Sequence, residues 1–180
     1  VKTIVIAGID PGIVDTALVA IELDPQRREW RVHTYTWSNV TSKDGLSIII
    51  SPVFLDSLRR VYDELQEHSV AFFGVEGFRQ RGRNVGQDAR MLALVQAIRQ
   101  TLPKSKTVDN TGLRKIIAPL VMKLFKVNRF TATNHADLKS AARVALKVGY
   151  DIDEINRIIF DFVQANLDGE PWRYVSTVTV

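Results

Sequence analysis

TIVIAGIDPG, residues 3–12, is the stretch on which the fold turns. Ile4, Val5, Ile6 and Ile9 form a β-branched apolar run that reads as a buried strand. The run ends in Asp10, and Pro11 and Gly12 follow at once, so the chain turns immediately after a carboxylate. Two readings stand at this point: Asp10 serves the turn, or it stands at a sheet edge for chemistry.

Working outward, DTALVAIEL (15–23) reads as a second strand, and the short link to it predicts a hairpin. REWRVHTYTW (28–37) alternates apolar and polar residues and reads as a third, half-exposed strand. Three strands with short links predict an antiparallel meander. The period then changes. In 51–68, Ser51 sits at the N-cap position, Pro52 opens the helix, and Phe54, Leu58, Val61, Tyr62 and Leu65 form a helical stripe. VAFFGVE (70–76) is a fourth buried strand, 85–102 a helix, and 105–110 a short strand. Residues 111–126 read as helical with a break at Pro119, and 134–148 and 152–167 as two further helices. The expected fold is α/β: a mixed five-stranded sheet, meander plus parallel strands, flanked by helices. One domain over 1–180 is expected, with 151–180 an additional helix and tail that could be strand or loop.

Composition narrows the class. The 180 residues are 46% hydrophobic and 24% charged, which suits a soluble globular chain. Cysteine is absent, so disulfides and thiolate metal sites are excluded; this fits a reducing cytoplasm. No apolar run nears the roughly 20 residues that span a bilayer, so no membrane partner is expected. The net charge is +4, and its placement favours a polyanion. GFRQRGR (77–83) carries Arg79, Arg81 and Arg83; LPKSK (102–106) carries Lys104 and Lys106; LRK (113–115) carries Arg114 and Lys115. Together with KLFKVNR (123–129), these suit a phosphate backbone.

Two more acids repeat the logic of Asp10. Glu76 ends the fourth strand in FFGVEG, again after an apolar run and before a glycine. Asp137 opens a helix rich in alanine (Ala141, Ala142, Ala145) that is slim enough to lie close to a sheet. If the two strands are parallel neighbours, both carboxylates emerge at one edge, with the helix N-terminus beside them. Clustered carboxylates repel unless a cation holds them. Hard oxygen ligands of this kind suit Mg²⁺, with Mn²⁺ an alternative, and two such ions can drive phosphodiester hydrolysis.

The motifs in order resemble those of the RuvC family of Holliday-junction resolvases. GIDPGIVDTALVAI (8–21), with Thr16, resembles the first motif, and GVEGF (74–78) the second. GQDARMLALVQAI (86–98) resembles the helix that follows, and NHADLKSAARVAL (134–146) the last motif. The resemblance runs from about residue 3 to 148 and suggests a divergent, phage-type member. It implies an RNase H-like fold, a homodimer in a bacterial cytoplasm, and Mg²⁺-dependent paired nicking of four-way DNA junctions. It also implies that Asp10, Glu76 and Asp137 are metal ligands, that Lys115 is a basic residue near the scissile phosphate, and that Phe78 enters the junction. Simple packing under the loop is an equal reading of Phe78.

The chain departs from the family at Asn134, three residues before Asp137, where an acid or a histidine is usual. A neutral amide binds Mg²⁺ weakly. The residue could be an engineered Asp→Asn change, could be compensated by His135, or could be natural; it could also act as a plain N-cap. In the helix 85–102, Met91, Leu94, Val95, Ile98 and Leu102 form one apolar stripe, and Ala89, Ala93 and Ala97 a second. So wide an apolar surface must cover both sheet and partner, which makes Ala89, Met91, Ala93, Leu94, Ala97 and Ile98 the expected dimer interface. His33 and His68 read as isolated surface residues. The competing functions are a junction-binding protein without cleavage and another RNase H-like nuclease. A sugar-kinase or actin-like ATPase fold also opens on isoleucine-aspartate, but it needs two lobes and a second glycine-rich motif that this chain lacks.

Overall fold

The computed structural model describes residues 3–44, 47–78, 85–131 and 133–179, with 176–179 described by backbone alone. In chain order the elements are β1 (Thr3–Asp10), β2 (Asp15–Asp24), β3 (Glu29–Ser38), β4 (Thr41–Asp44), β5 (Ser47–Ile50), α1 (Pro52–Glu67), β6 (Ser69–Glu76) and α2 (Val85–Thr101). There follow β7 (Lys106–Val108), α3 (Leu113–Ile116), α4 (Pro119–Leu124), α5 (His135–Tyr150), α6 (Asp153–Asp168) and β8 (Arg173–Thr179). The main sheet runs β7-β6-β1-β2-β3-β8. The meander β1-β2-β3 is antiparallel, while β6 and β7 join parallel on the β1 side.

The expected five strands are therefore present in the expected arrangement, and the tail supplies a sixth. β8 pairs parallel to β3, Trp30 packs against Tyr174 with ring centroids 4.5 Å apart, and Arg173 pairs with Glu29. A small hairpin, β4 with β5, precedes α1 and had no counterpart in the sequence reading. The break at Pro119 is real: α3 ends at Ile116 and Pro119 opens α4. α1 begins as its caps dictate, with the Phe54 amide donating to the Ser51 hydroxyl at 3.3 Å.

Period-2 alternation along β1 separates two cores. Val5, Ala7 and Ile9 face α1 and α2, with Leu58, Tyr62, Leu94 and Ile98. Ile6 faces the opposite side, with Ala141, Leu146, Ile159 and Phe162 from α5 and α6. The same alternation puts Gly8 and Asp10 on the α5 face, and it puts Gly74 and Glu76 there on β6. A methyl group built on Gly8 would overlap the Ala141 carbonyl oxygen and the Ala145 nitrogen. One built on Gly74 would lie 2.5 Å from Val148 Cγ2. The glycines two residues before each acid thus let α5 lie directly on the two central strands. Among the described residues no helix is long and apolar enough to cross a membrane.

Candidate active site

β1 and β6 are adjacent and parallel, with Ile9 opposite Val75. Asp10 and Glu76 therefore leave the sheet side by side, at the same edge and on the same face. Their carboxyl groups are close enough for the negative charge of one to act on the other. Burial, followed by the negative charge of Glu76, pushes the Asp10 carboxyl up to about 8. Glu76 is held from the other side: Ser140 Oγ donates to its Oε2 at 3.0 Å, and the Asn110 amide donates to Oε1.

Asp137 lies one helical turn before Ala141, whose carbonyl rests over Gly8. That turn carries Asp137 back toward Asp10, and its charge adds to the upward push there. The Asp137 carboxyl is itself raised by burial and by the negative charge of Asp15, while His135 pulls the other way. The sequence reading missed Asp15, Asn110 and Ser140. Asp15 opens β2 and reads there as a plain strand end. Ser140 could have been found from its spacing, since it sits three residues after Asp137 on the same helical face.

The segment after Asp10 is tightly held. Thr16 is fully buried and exchanges hydrogen bonds with the Gly12 backbone at 3.3 and 3.4 Å. Thr41 Oγ1 donates to the Ile13 carbonyl at 2.8 Å and accepts from Arg90 at 2.8 Å. A cavity of about 240 Å³ opens beside the acids, lined by Asp10, Pro11, Glu76, Gly77, Phe78, Met91 and Val95. Phe78 is thus a half-buried wall of the acid cavity.

The other expected site residues fall in different places. Asn134 is the N-cap of α5, but its side chain makes no capping hydrogen bond; its carbonyl accepts from the Asp137 and Leu138 amides. His135 is exposed at the first helical position. Lys115 and Arg114 are exposed on α3. Lys104 and Lys106 line a separate cavity of about 460 Å³ against Ser69–Phe73, toward the start of β6. Arg79, Arg81 and Arg83 lie outside the described residues. The expected dimer stripe divides. Leu94 and Ile98 are fully buried in the chain's own core and offer nothing to a partner. Met91 lines the acid cavity; Ala93 and Ala97 are half-buried, and Ala89 is exposed. The stripes belong to different surroundings because α2 covers the sheet with one narrow face. His33 is not an isolated surface residue: it is half-buried, 3.0 Å from Glu22, and its hydrogen bond lowers the Glu22 carboxyl.

No protein-family model and no curated protein sequence matches the chain. Solved structures do. RuvC of T. thermophilus, in complex with its Holliday junction substrate, matches with a TM-score of 0.52 at 16% identity, over 79% of this chain and 90% of that one. The fold is RuvC-like. A second Thermus thermophilus RuvC structure gives 0.44 at 16% identity over 79% and 91% of the two chains. The Fowlpox virus resolvase with its Holliday junction DNA gives 0.38 at 12% identity over 87% and 98%. At these identities the likeness is one of fold.

The RuvC-like frame poses a question of fit for a divalent cation. Among the described residues no group of three or more His, Cys, Asp or Glu side chains stands in ready metal-binding geometry. The Asp10–Glu76 pair by itself fits a hard cation. It offers adjacent carboxylate oxygens, and burial together with the like charge of Glu76 leaves the Asp10 charge uncompensated.

Proposed function

We propose that the chain is a structure-selective DNA endonuclease that cuts four-way junctions with a divalent metal, Mg²⁺ or Mn²⁺. One observation carries the reading: Asp10 and Glu76 stand side by side at the ends of neighbouring parallel strands, where burial and like charge push the Asp10 carboxyl up and a cation would offset the charge. Asp10 and Glu76 would hold the metal, with Asp137 joining them from α5 and Asn134 contributing at most a neutral oxygen. When bound, the ion would activate water and stabilise the leaving oxygen of a phosphodiester. The chain's own residues do the rest. Ser140 and Asn110 each donate to one oxygen of Glu76 and so fix its carboxylate beside Asp10. The contacts of Thr16, Thr41 and Arg90 hold the backbone behind Asp10. Phe78, Met91 and Val95 give the cavity an apolar wall that suits a sugar or base beside the phosphate. Arg114 and Lys115, with Lys104, Lys106 and the arginines of 77–83, supply positive charge for the backbone. Junction recognition rests on shape, and a homodimer would present two such sites to two strands.

The test is cleavage of a labelled four-way junction in Mg²⁺, with linear duplex as control. The chain as given is compared with Asn134→Asp, Asp10→Asn and Ser140→Ala. Asn134→Asp is expected to nick the junction symmetrically, at least as fast as the chain as given. In that background Ser140→Ala slows nicking about 10-fold and Asp10→Asn by more than about 100-fold, as positioning and ligand residues should. Tight junction binding with no cutting by either the chain as given or Asn134→Asp would overturn the nuclease reading in favour of a binding module.

A further inference from the structure

On the far side of α5 from the sheet contacts, a cavity of about 410 Å³ lies between α5 and the α3–α4 segment. Five of its ten lining residues are cations, Arg114, Lys123, Arg129, Lys139 and Arg143, and none is a carboxylate. The whole chain has a positive excess of only four, so this concentration is not background. Lys139 and Arg143 are four residues apart on one face of α5, a like-charge spacing that destabilises a helix on its own. Arg143 is half-buried, and both its burial and the nearby Arg114 charge press its guanidinium below the ordinary value. Packing these cations together is unfavourable unless an anion occupies the space among them. The floor is apolar, formed in part by Met122 and Ile117, so a phosphate seated here would be partly shielded from water and salt.

The groove also has a fixed relation to the acids. Arg143 is six residues beyond Asp137 on the same helix, about 9 Å along its axis. Six residues also turn the helix through about 600°, so the groove opens on a different side of α5 from Asp137 and only the axial offset is fixed.

We propose that this groove is a second phosphate-binding site, which grips the DNA backbone away from the point of cutting. The proposal rests on the DNA-cutting reading and adds Lys123, Arg129, Lys139 and Arg143 to the interface. The strand's phosphate would seat between the Arg143 and Arg114 guanidiniums, with Lys139 one helical turn before Arg143. This contact positions the strand and carries no base information.

The experiment is equilibrium binding of a labelled four-way junction in chelator, at several salt concentrations, for the chain as given and for Lys139→Gln/Arg143→Gln. The charge-matched control is Arg60→Gln/Arg99→Gln, on exposed positions of α1 and α2 across the sheet. The groove variant is expected to bind about 10-fold more weakly. Its log–log salt slope should be shallower by about 1 to 2, roughly 0.9 for each phosphate that is no longer neutralised. The control should keep the slope, and melting curves should show both variants folded. An unchanged slope in the groove variant overturns the proposal and leaves the nuclease reading standing. Failure of the chain as given to bind any DNA overturns both. If junction binding is unchanged but inorganic phosphate raises the melting temperature of the chain as given and not of the groove variant, the groove serves a free anion and the strand proposal falls.

Discussion

α5 and α2 lie on opposite faces of one sheet, and the sheet holds them differently. α5, with 16 residues, buries eight, among them Ala141, Ala142, Ala145 and Gly149. α2, with 17 residues, buries three: Asp88, Leu94 and Ile98. The α5 contact is backbone on backbone, over Gly8, so the helix has one available height and one available register. That fixes Asp137 and Ser140 relative to Asp10 and Glu76. α2 rests on two large side chains and leaves Val85, Ala89 and Leu92 exposed. The closely seated helix carries Asp137 and Ser140; the other carries a cavity wall and an open face.

The sharpest way to break this contrast is Gly8→Ala. The added methyl meets main-chain atoms of α5, which cannot rotate away as a side chain can. Overpacking of this kind costs about 1–3 kcal/mol, and more where backbone must move. At this chain length the melting temperature should fall by about 2–4 °C for each kcal/mol. Junction cleavage should fall with it, because Asp137 and Ser140 shift with the helix. Gly74→Ala should cost less, since its nearest neighbours are the Val148 and Val108 methyls, which can adjust. Equal melting temperatures for Gly8→Ala and the parent, measured by calorimetry, would show that α5 is not locked.

The same contrast explains what the sequence disclosed. Asp10, Glu76 and the alanine-rich start of α5 were legible because each acid marks the boundary of a local pattern: two strand ends and one helix start. The pairing of β1 with β6 followed from two apolar runs separated by a helix. The tail read equally as strand or loop, and the pairing of β8 was not legible, because its partner β3 lies more than a hundred residues earlier and nothing local encodes a parallel pairing. The β4–β5 hairpin escaped because TSKD is polar and short. Asp15, Asn110 and Ser140 were missed for another reason: each reads locally as a strand end, a turn residue or a helix-surface residue, and only the packing of α5 on the sheet brings them to the acids. At Leu94 and Ile98 the α2 stripe misled, because an apolar stripe shows that a face is covered, not by what. Leu94 and Ile98 turn out to be covered by the chain's own sheet.

A separate effect should appear in the pH dependence of stability without divalent metal. The folded state holds the Asp10 proton up to about 8, whereas the unfolded chain releases it near 3.8. Between those values the folded state binds more protons, so stability falls as pH rises through the window. The raised Asp137 carboxyl acts in the same direction, and the lowered Glu22 carboxyl acts in the opposite one. The isolating measurement is therefore the difference between the parent and Asp10→Asn. In chelator, the parent's melting temperature should decline from pH 5 to pH 8 more steeply than the variant's, and Mg²⁺ should restore the parent at pH 8. Parallel curves would mean that Asp10 carries no strained charge, which would remove the main argument for a cation at the Asp10–Glu76 pair.

The smallest effect on the chain's own stability is expected on the open face of α2, and it tests the other side of the contrast. Val85, Ala89 and Leu92 follow an i, i+4, i+7 spacing, with Val85 77% and Leu92 39% exposed. An apolar stripe in this position, beside the acid cavity, suits a twofold partner that would set two cavities side by side. Ala89→Glu/Leu92→Glu should leave monomer melting nearly unchanged, because neither residue is in the core. In sedimentation at micromolar concentration, the parent should run as a dimer and the variant as a monomer. On the junction, the variant should give single nicks where the parent's Asn134→Asp form gives paired ones. If the parent is itself monomeric, the open face of α2 is ordinary surface and paired cutting loses its structural basis. Single-strand nicking by the Asp10–Glu76 site would survive that result, because both acids come from the same chain.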